Sequence, residues 1–280
     1  MEISENLIKR QIIPITLAAC VAVLLAFLLL GEIAILNRFT TADISTRVRI
    51  GDIVLGMTIY LKTSIDFALF MGNLMKHNRG WKNRISIELG TALGNALGTG
   101  IVLAVWAFFK EVTWLLAIMI VVASLVLFKL AESGLEHTER DDRRWPRTVK
   151  LLVNGFEYFL DRLNRIIAPF IRYILPEFNM NAGARAGFWS LFGFAVSVPF
   201  FLGLDDFAGY VPIFSLVNVF GFSIGVFLAH ALLNMFLYLS PERTVKVVKN
   251  PFISFFGSVI FVGLGIWGLI EAARLIAHFA

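Results

Sequence analysis

The chain has 280 residues, of which 58% are hydrophobic and only 16% charged, against about 25% charged in an average soluble domain. Together with a mean hydropathy of +0.78, this excludes a disordered chain and an ordinary water-soluble globule, because too little polar surface is left for an aqueous shell. The formal net charge of +5 would suggest a polyanionic partner in a soluble protein; here it must first be read by its distribution over the loops.

Uncharged runs of about 18 or more residues read as membrane-spanning helices. A β-barrel is not indicated, since it shows weak alternation over about 10 residues rather than solid apolar runs. The first predicted span covers residues 12–36. It holds the single cysteine, Cys20, so no internal disulfide forms. Leu17-Ala18-Ala19-Cys20 resembles a lipoprotein cleavage box, but the apolar stretch before it is short and the run continues to Gly31. We therefore read an uncleaved span.

The second span, 50–75, is interrupted by Lys62, Thr63, Ser64 and Asp66. The third, 85–109, carries Glu88 near its start and Asn95 further in. The fourth is 112–130. A polar stretch follows over 132–186, in which a mixed-sign run gives way to apolar residues at helical spacing between Lys150 and Ile174, interleaved with Arg162, Arg165 and Arg172. This predicts an amphipathic helix, either on the inner membrane surface or packed on the spans. The fifth span starts near Gly187 and meets Asp205 and Asp206. The sixth, 215–239, carries His230 and Asn234, and the seventh is 252–276.

Seven spans divide the basic residues unevenly. The N-terminus, the even-numbered gaps and the inner end of span four (Lys129) hold 19 of the 25 Lys and Arg, the other side holds Arg38, Arg47, Arg49, Lys110 and, at the outer end of span seven, Arg274, and Lys62 lies in mid-span. The positive-inside rule then puts the N-terminus in the cytoplasm and the C-terminus outside, in a cytoplasmic membrane.

Ionisable residues inside a membrane are costly, by about 2.5–3.5 kcal/mol on insertion scales. Lys62 and Asp66 stand four apart, as a structural ion pair would. Alternatively, Asp66 faces a polar cavity with Lys62 as partner or gate. Asp205 and Asp206 fall either in an outer loop or within the membrane. The 35 residues from Phe207 to Pro241 are uncharged apart from His230 and as one helix would reach about 52 Å. Part of them therefore belongs to span five, which favours an intramembrane Asp206. Pro199, Gly203, Gly209 and Pro212 around it are helix breakers. Glu32, Asp52 and Glu271 lie near span ends and read as interfacial.

Ser64-Ile65-Asp66-Phe67-Ala68 and Leu204-Asp205-Asp206-Phe207-Ala208 share Asp-Phe-Ala in an interrupted span. Each is followed by a glycine-spaced span, with Gly90, Gly94 and Gly98 in one and Gly221 and Gly225 in the other, and then by an uninterrupted one. The predicted fold is thus an all-α membrane protein of seven spans: an N-terminal span with its outer loop (1–49), a first three-helix unit (50–131), a cytoplasmic linker (132–186) and a second three-helix unit (187–280). Units of three spans repeat in inverted orientation, as in transporters with a midplane site. The glycines also serve close helix packing without any substrate.

With these motifs, the chain resembles the LysE superfamily of exporters, in particular its metal-handling and TerC-like branches, over about residues 50–276. The resemblance implies paired aspartate-bearing spans in two inverted units and export of a small substrate. Asp66, Asp206 and Asp205 would then hold a divalent cation. Ser64, Asn95 and Asn234 would add oxygen atoms, with Lys62, Glu88 and His230 as accessory residues. Hard oxygen donors suit Mn²⁺, Ca²⁺ or Mg²⁺. Relatives often have Asn or Ala after the aspartate, where Phe67 and Phe207 stand here.

The expected partners are the lipid bilayer and the transported cation, with a homo-oligomer left open; no resident cofactor and no nucleic acid are indicated. An enzyme is not expected, because no nucleophile motif, phosphate-binding loop or zinc spacing appears. Two rival readings stay open: a non-transporting scaffold or assembly factor using the basic linker, and an amino-acid exporter.

Overall fold

The computed structural model describes residues 11–136, 147–171, 187–215, 217–248 and 250–277. Ten helices account for almost all of them, and no strand occurs among the described residues. In chain order they are α1 (Ile13–Phe39), α2 (Ile50–Thr63), α3 (Ile65–His77), α4 (Trp81–Lys110), α5 (Thr113–Glu136), α6 (Arg147–Ile171), α7 (Phe188–Tyr210), α8 (Val219–Leu239), α9 (Pro241–Val248) and α10 (Pro251–Ala277). A 3₁₀ turn over Val211–Ser215 follows α7. The charged run 137–146 of the linker lies outside the described residues.

Five helices (α1, α4, α5, α8 and α10) are long and apolar enough to cross a membrane, and a sixth crossing follows if α2 and α3 form one bent span. At about 1.5 Å per residue the 30 residues of α4 extend about 45 Å, more than the hydrocarbon core requires. Helix α8 is central, enclosed on nearly all sides, while α1 and α10 expose long apolar flanks such as Phe27, Leu28, Phe256 and Ile266. A membrane helix must hide polar groups, not apolar ones, so these flanks fit contact with lipid.

Glycines set the closest packing. A methyl group on Gly94 of α4 would stand 2.2 Å from the Val196 carbonyl oxygen of α7, and one on Gly90 would meet Phe192 and Ala195. Likewise, a methyl group on Gly225 of α8 would stand 2.2 Å from the Ile53 carbonyl oxygen of α2, and Gly221 faces Arg49 and Asp52. The two sets of partners correspond one to one along the chain, Phe192 with Arg49, Ala195 with Asp52 and Val196 with Ile53. In both pairs residue numbers rise together, so α4 and α7 are parallel, as are α2 and α8. The third heavily packed pair, α5 with α10, is antiparallel: Ser258 Oγ donates to the Ala131 carbonyl, while Gly265 lies against Ser124 and Phe128.

At the junction of α2 and α3, which meet at 67°, Thr63 turns its hydroxyl back to the Tyr60 carbonyl (3.0 Å), which also accepts from the Ser64 amide (2.9 Å). Equivalent back-bonds of Thr91 and Ser197 sit inside unbroken helices, so the hydroxyl alone does not explain the bend. No Gly or Pro is involved. By contrast, α7 runs unbroken through Pro199 and through Gly203 and Gly209, and changes to 3₁₀ geometry only at Val211. Asn218 then caps α8 by accepting from the Gly221 amide (2.9 Å).

The two ends of the bundle differ. At the end carrying the α1–α2 and α4–α5 turns a cavity of about 420 Å³ opens, with Asp43, Lys110, Asn218 and Glu271 among its lining residues. At the other end α9 folds onto α3, with Val245 against Gly72 and a Lys76–Glu242 ion pair at 2.9 Å.

Candidate functional site

The bent segment α2–α3 and the unbroken helix α7 meet. Thr63 Oγ1 lies 2.8 Å from Tyr210 Oη. Thr63 is three residues before Asp66, and Tyr210 is four after Asp206. Asp66 is the second residue of α3, where the free amides of a helix start favour negative charge. Asp205 and Asp206 belong to the last two turns of α7, so they are helical rather than in a loop. The side chains of these three aspartates lie outside the described residues.

Beside this junction, polar side chains from α2, α4 and α8 form one buried chain. Glu88 Oε2 accepts from Asn234 Nδ2 and from Tyr238 Oη, both at 2.9 Å. The same Asn234 amide nitrogen lies 3.2 Å from Thr91 Oγ1 and 3.3 Å from His230 Nε2. His230 Nδ1 is 2.6 Å from Tyr60 Oη, and the imidazole packs against Phe67, the residue after Asp66, at 5.4 Å between ring centres. The Asn234 amide has two hydrogens for three neighbours, Glu88, Thr91 and His230, the last being the farthest. Glu88, His230 and Asn234 are each at most 1% exposed.

Four atoms of this region are buried without a hydrogen-bond partner: Glu88 Oε1, Asn234 Oδ1, Asn95 Nδ2 and Ser64 Oγ. A buried polar atom left unpaired costs about 1–3 kcal/mol. Two of them, Glu88 Oε1 and Asn234 Oδ1, belong to the bonded chain itself, where a water molecule would complete their hydrogen bonds. Among the described residues, no group of three or more His, Cys, Asp and Glu stands together as metal ligands.

The predicted accessory residues thus divide. Glu88, His230 and Asn234 are joined to one another, and Ser64 sits at the helix break. Asn95 is buried two turns beyond Glu88, outside the bonded chain. Lys62 is 5% exposed and donates to the Ser254 carbonyl of α10 (2.7 Å). Its aliphatic stem crosses Gly257, where a methyl group would come within 2.2 Å of Lys62 Cδ.

Tyr60, Arg84, Thr91, Tyr210 and Tyr238 were not marked by the sequence reading. Arg84 is counted there with the loop cations, yet it is 5% exposed and donates to the Tyr238 carbonyl (3.2 Å). A signal for three of them, Arg84, Thr91 and Tyr238, was available. Arg84, Glu88, Thr91 and Asn95 recur at helical spacing on α4, and His230, Asn234 and Tyr238 on α8.

No family model matches the sequence, and neither a curated protein nor a solved structure is similar to it.

Proposed function

We propose that this chain is a secondary transporter of a divalent cation, working as an exporter, with Asp66 and Asp206 as the principal ligands and Asp205 and Ser64 beside them. The observation that carries the reading is the Thr63–Tyr210 contact, which joins the two aspartate-bearing segments, the bent α2–α3 and the unbroken α7, next to a buried polar chain. Oxygen donors suit a hard ion of the Mn²⁺ or Ca²⁺ kind. Glu88, His230 and Asn234 spend their bonded atoms on one another and stand outside this ligand set.

Seven crossings follow if α7, with its 23 residues, is the remaining span. In that arrangement α2–α3, α4 and α5 form one unit of three and α7, α8 and α10 a second, inverted one, with α1 extra. Two parallel pairs and one antiparallel pair are what inverted units require. The one-to-one glycine partners support that assignment. With the basic residues facing the cytoplasm, the 420 Å³ cavity opens outward and the α9–α3 contact closes the inner end.

The test is metal flux in reconstituted vesicles over a panel of Mn²⁺, Ca²⁺ and Mg²⁺. Wild type should carry at least one ion, and Asp66→Asn and Asp206→Asn should each reduce its flux at least tenfold while the protein still inserts. Undiminished flux in both variants, or none in wild type for any ion, would falsify the proposal.

A further inference from the structure

The linker helix α6 has two faces with different surroundings. One is docked on the spans. Leu160 is fully enclosed, and Asn164 Nδ2 donates to Glu132 Oε2 (2.8 Å) and to the Phe128 carbonyl (3.1 Å) of α5. Phe156 meets Phe255 of α10 edge-on at 5.7 Å. Buried amide–carboxylate contacts of this kind are directional and fix the helix in place.

The other face is apolar and uncovered. Leu151, Tyr158, Phe159 and Ile166 are 75%, 65%, 53% and 70% exposed, and their spacing makes one stripe along the helix. On its docked side Phe156 touches Phe255, whose neighbour Phe256 is 64% exposed on the flank of α10, so α6 is continuous with the end of a span whose flank faces lipid. Two cations belong to the uncovered side. Arg162 falls within the stripe, and Arg165 lies beside it, holding the neighbouring acid Asp161 at 2.9 Å. Long arginine stems let an apolar body sit deep while the guanidinium reaches a polar layer.

From this continuity and this charge we infer that α6 lies in the headgroup layer of the cytoplasmic leaflet. Its stripe enters the acyl boundary and Arg162 and Arg165 engage anionic phospholipid. Through Asn164 and Phe156 the leaflet then holds the antiparallel pair α5–α10 as a fixed frame. The orientation follows from the basic residues; nothing here depends on the transport reading, and the experiment measures no flux.

Cys20 is the only cysteine, so Cys20→Ser gives a cysteine-free, full-length background. Nitroxide labels are attached at Phe159→Cys and Ile166→Cys, with Arg243→Cys on α9 as an aqueous reference, in nanodiscs of phosphatidylcholine with or without phosphatidylglycerol. Labels at 159 and 166 should collide freely with oxygen and poorly with a nickel chelate. Their nickel accessibility should fall by about twofold or more when anionic lipid is present, and Arg162→Gln with Arg165→Gln should remove that difference. Three results would overturn the inference: nickel access at 159 and 166 equal to that at 243, a lipid effect unchanged by the double substitution, or spin–spin broadening between chains, which would make the stripe a seam between two copies.

Discussion

Lys62 shows how a charged residue is housed in an apolar bundle. Its ammonium group takes the Ser254 carbonyl, and its stem fits only because Gly257 has no side chain. Gly257→Ala should therefore displace the lysine from that carbonyl and lower thermal stability in detergent. In the background of Lys62→Ala, which removes the clashing stem, the same change should cost much less. A double-mutant cycle should return a coupling of about 0.5–3 kcal/mol; additive losses would mean that the methyl group strikes something else. The polar residues inside apolar runs, namely Lys62, Glu88, Asn95, His230 and Asn234, are legible in the sequence, because hydropathy makes them conspicuous. Their partners are not. Tyr60, Tyr238 and Thr91 belong to residue types that pass unnoticed in a membrane helix, and Arg84 looks like a loop cation until its burial is seen. Which polar atom bonds which is fixed by the approach of α2, α4 and α8, and no local pattern encodes that approach.

Among elements, the glycine-faced helices make the sharpest case. Gly94→Ala and Gly225→Ala each force a methyl group to within 2.2 Å of a backbone carbonyl that cannot swing aside. Overpacking of this kind costs about 1–3 kcal/mol. Both should lower the unfolding temperature markedly and by similar amounts, whereas Gly31→Ala, with nothing within 4 Å, should change it little. A large loss at one of the pair and none at the other would contradict the equivalence of the α4–α7 and α2–α8 contacts. The glycine spacing was legible; its partners 100 to 170 residues away in sequence were not.

Helix α9 gives a pH-dependent counterpart. The hydrogen bond and charge of Lys76 hold the Glu242 carboxyl below its ordinary value of 4.5. A carboxyl lowered on docking strengthens the contact above that ordinary value, and the contribution is lost as pH falls through the lowered one. Protection of the α9 amides, taken relative to their intrinsic exchange rate at each pH, should hence fall below about pH 4.5. In Glu242→Gln protection should be low throughout and lack that step. High salt should mimic the substitution, since both groups are exposed. Exchange in wild type that ignores both acid and salt would show that Val245 and Pro241 hold α9 alone.

For the molecule as a whole, composition pointed to a membrane protein and the solid apolar runs to helices rather than a barrel. The helix count was nearly legible. Seven apolar runs are read from the sequence, while five helices meet the length and hydropathy needed, or six with the bent pair. The difference lies where the runs are interrupted. The break after Thr63 has no glycine or proline to announce it, and the breakers expected around Asp205 and Asp206 leave α7 helical to Tyr210. Linker helix α6 also shows the limit. Its amphipathic spacing was visible, but only the contacts of Leu160 and Asn164 tell which apolar side meets protein.

The first helix has no counterpart among the described residues. It packs against both α4 and α8, with the Glu32 carboxylate lying over Gly100 of α4 and Phe27 and Leu30 lining a groove shared with Phe227 of α8. In the proposed transport cycle, where α4 and α8 would exchange surroundings, α1 is the helix whose contacts would differ between the two arrangements, so it would set which of them the molecule prefers.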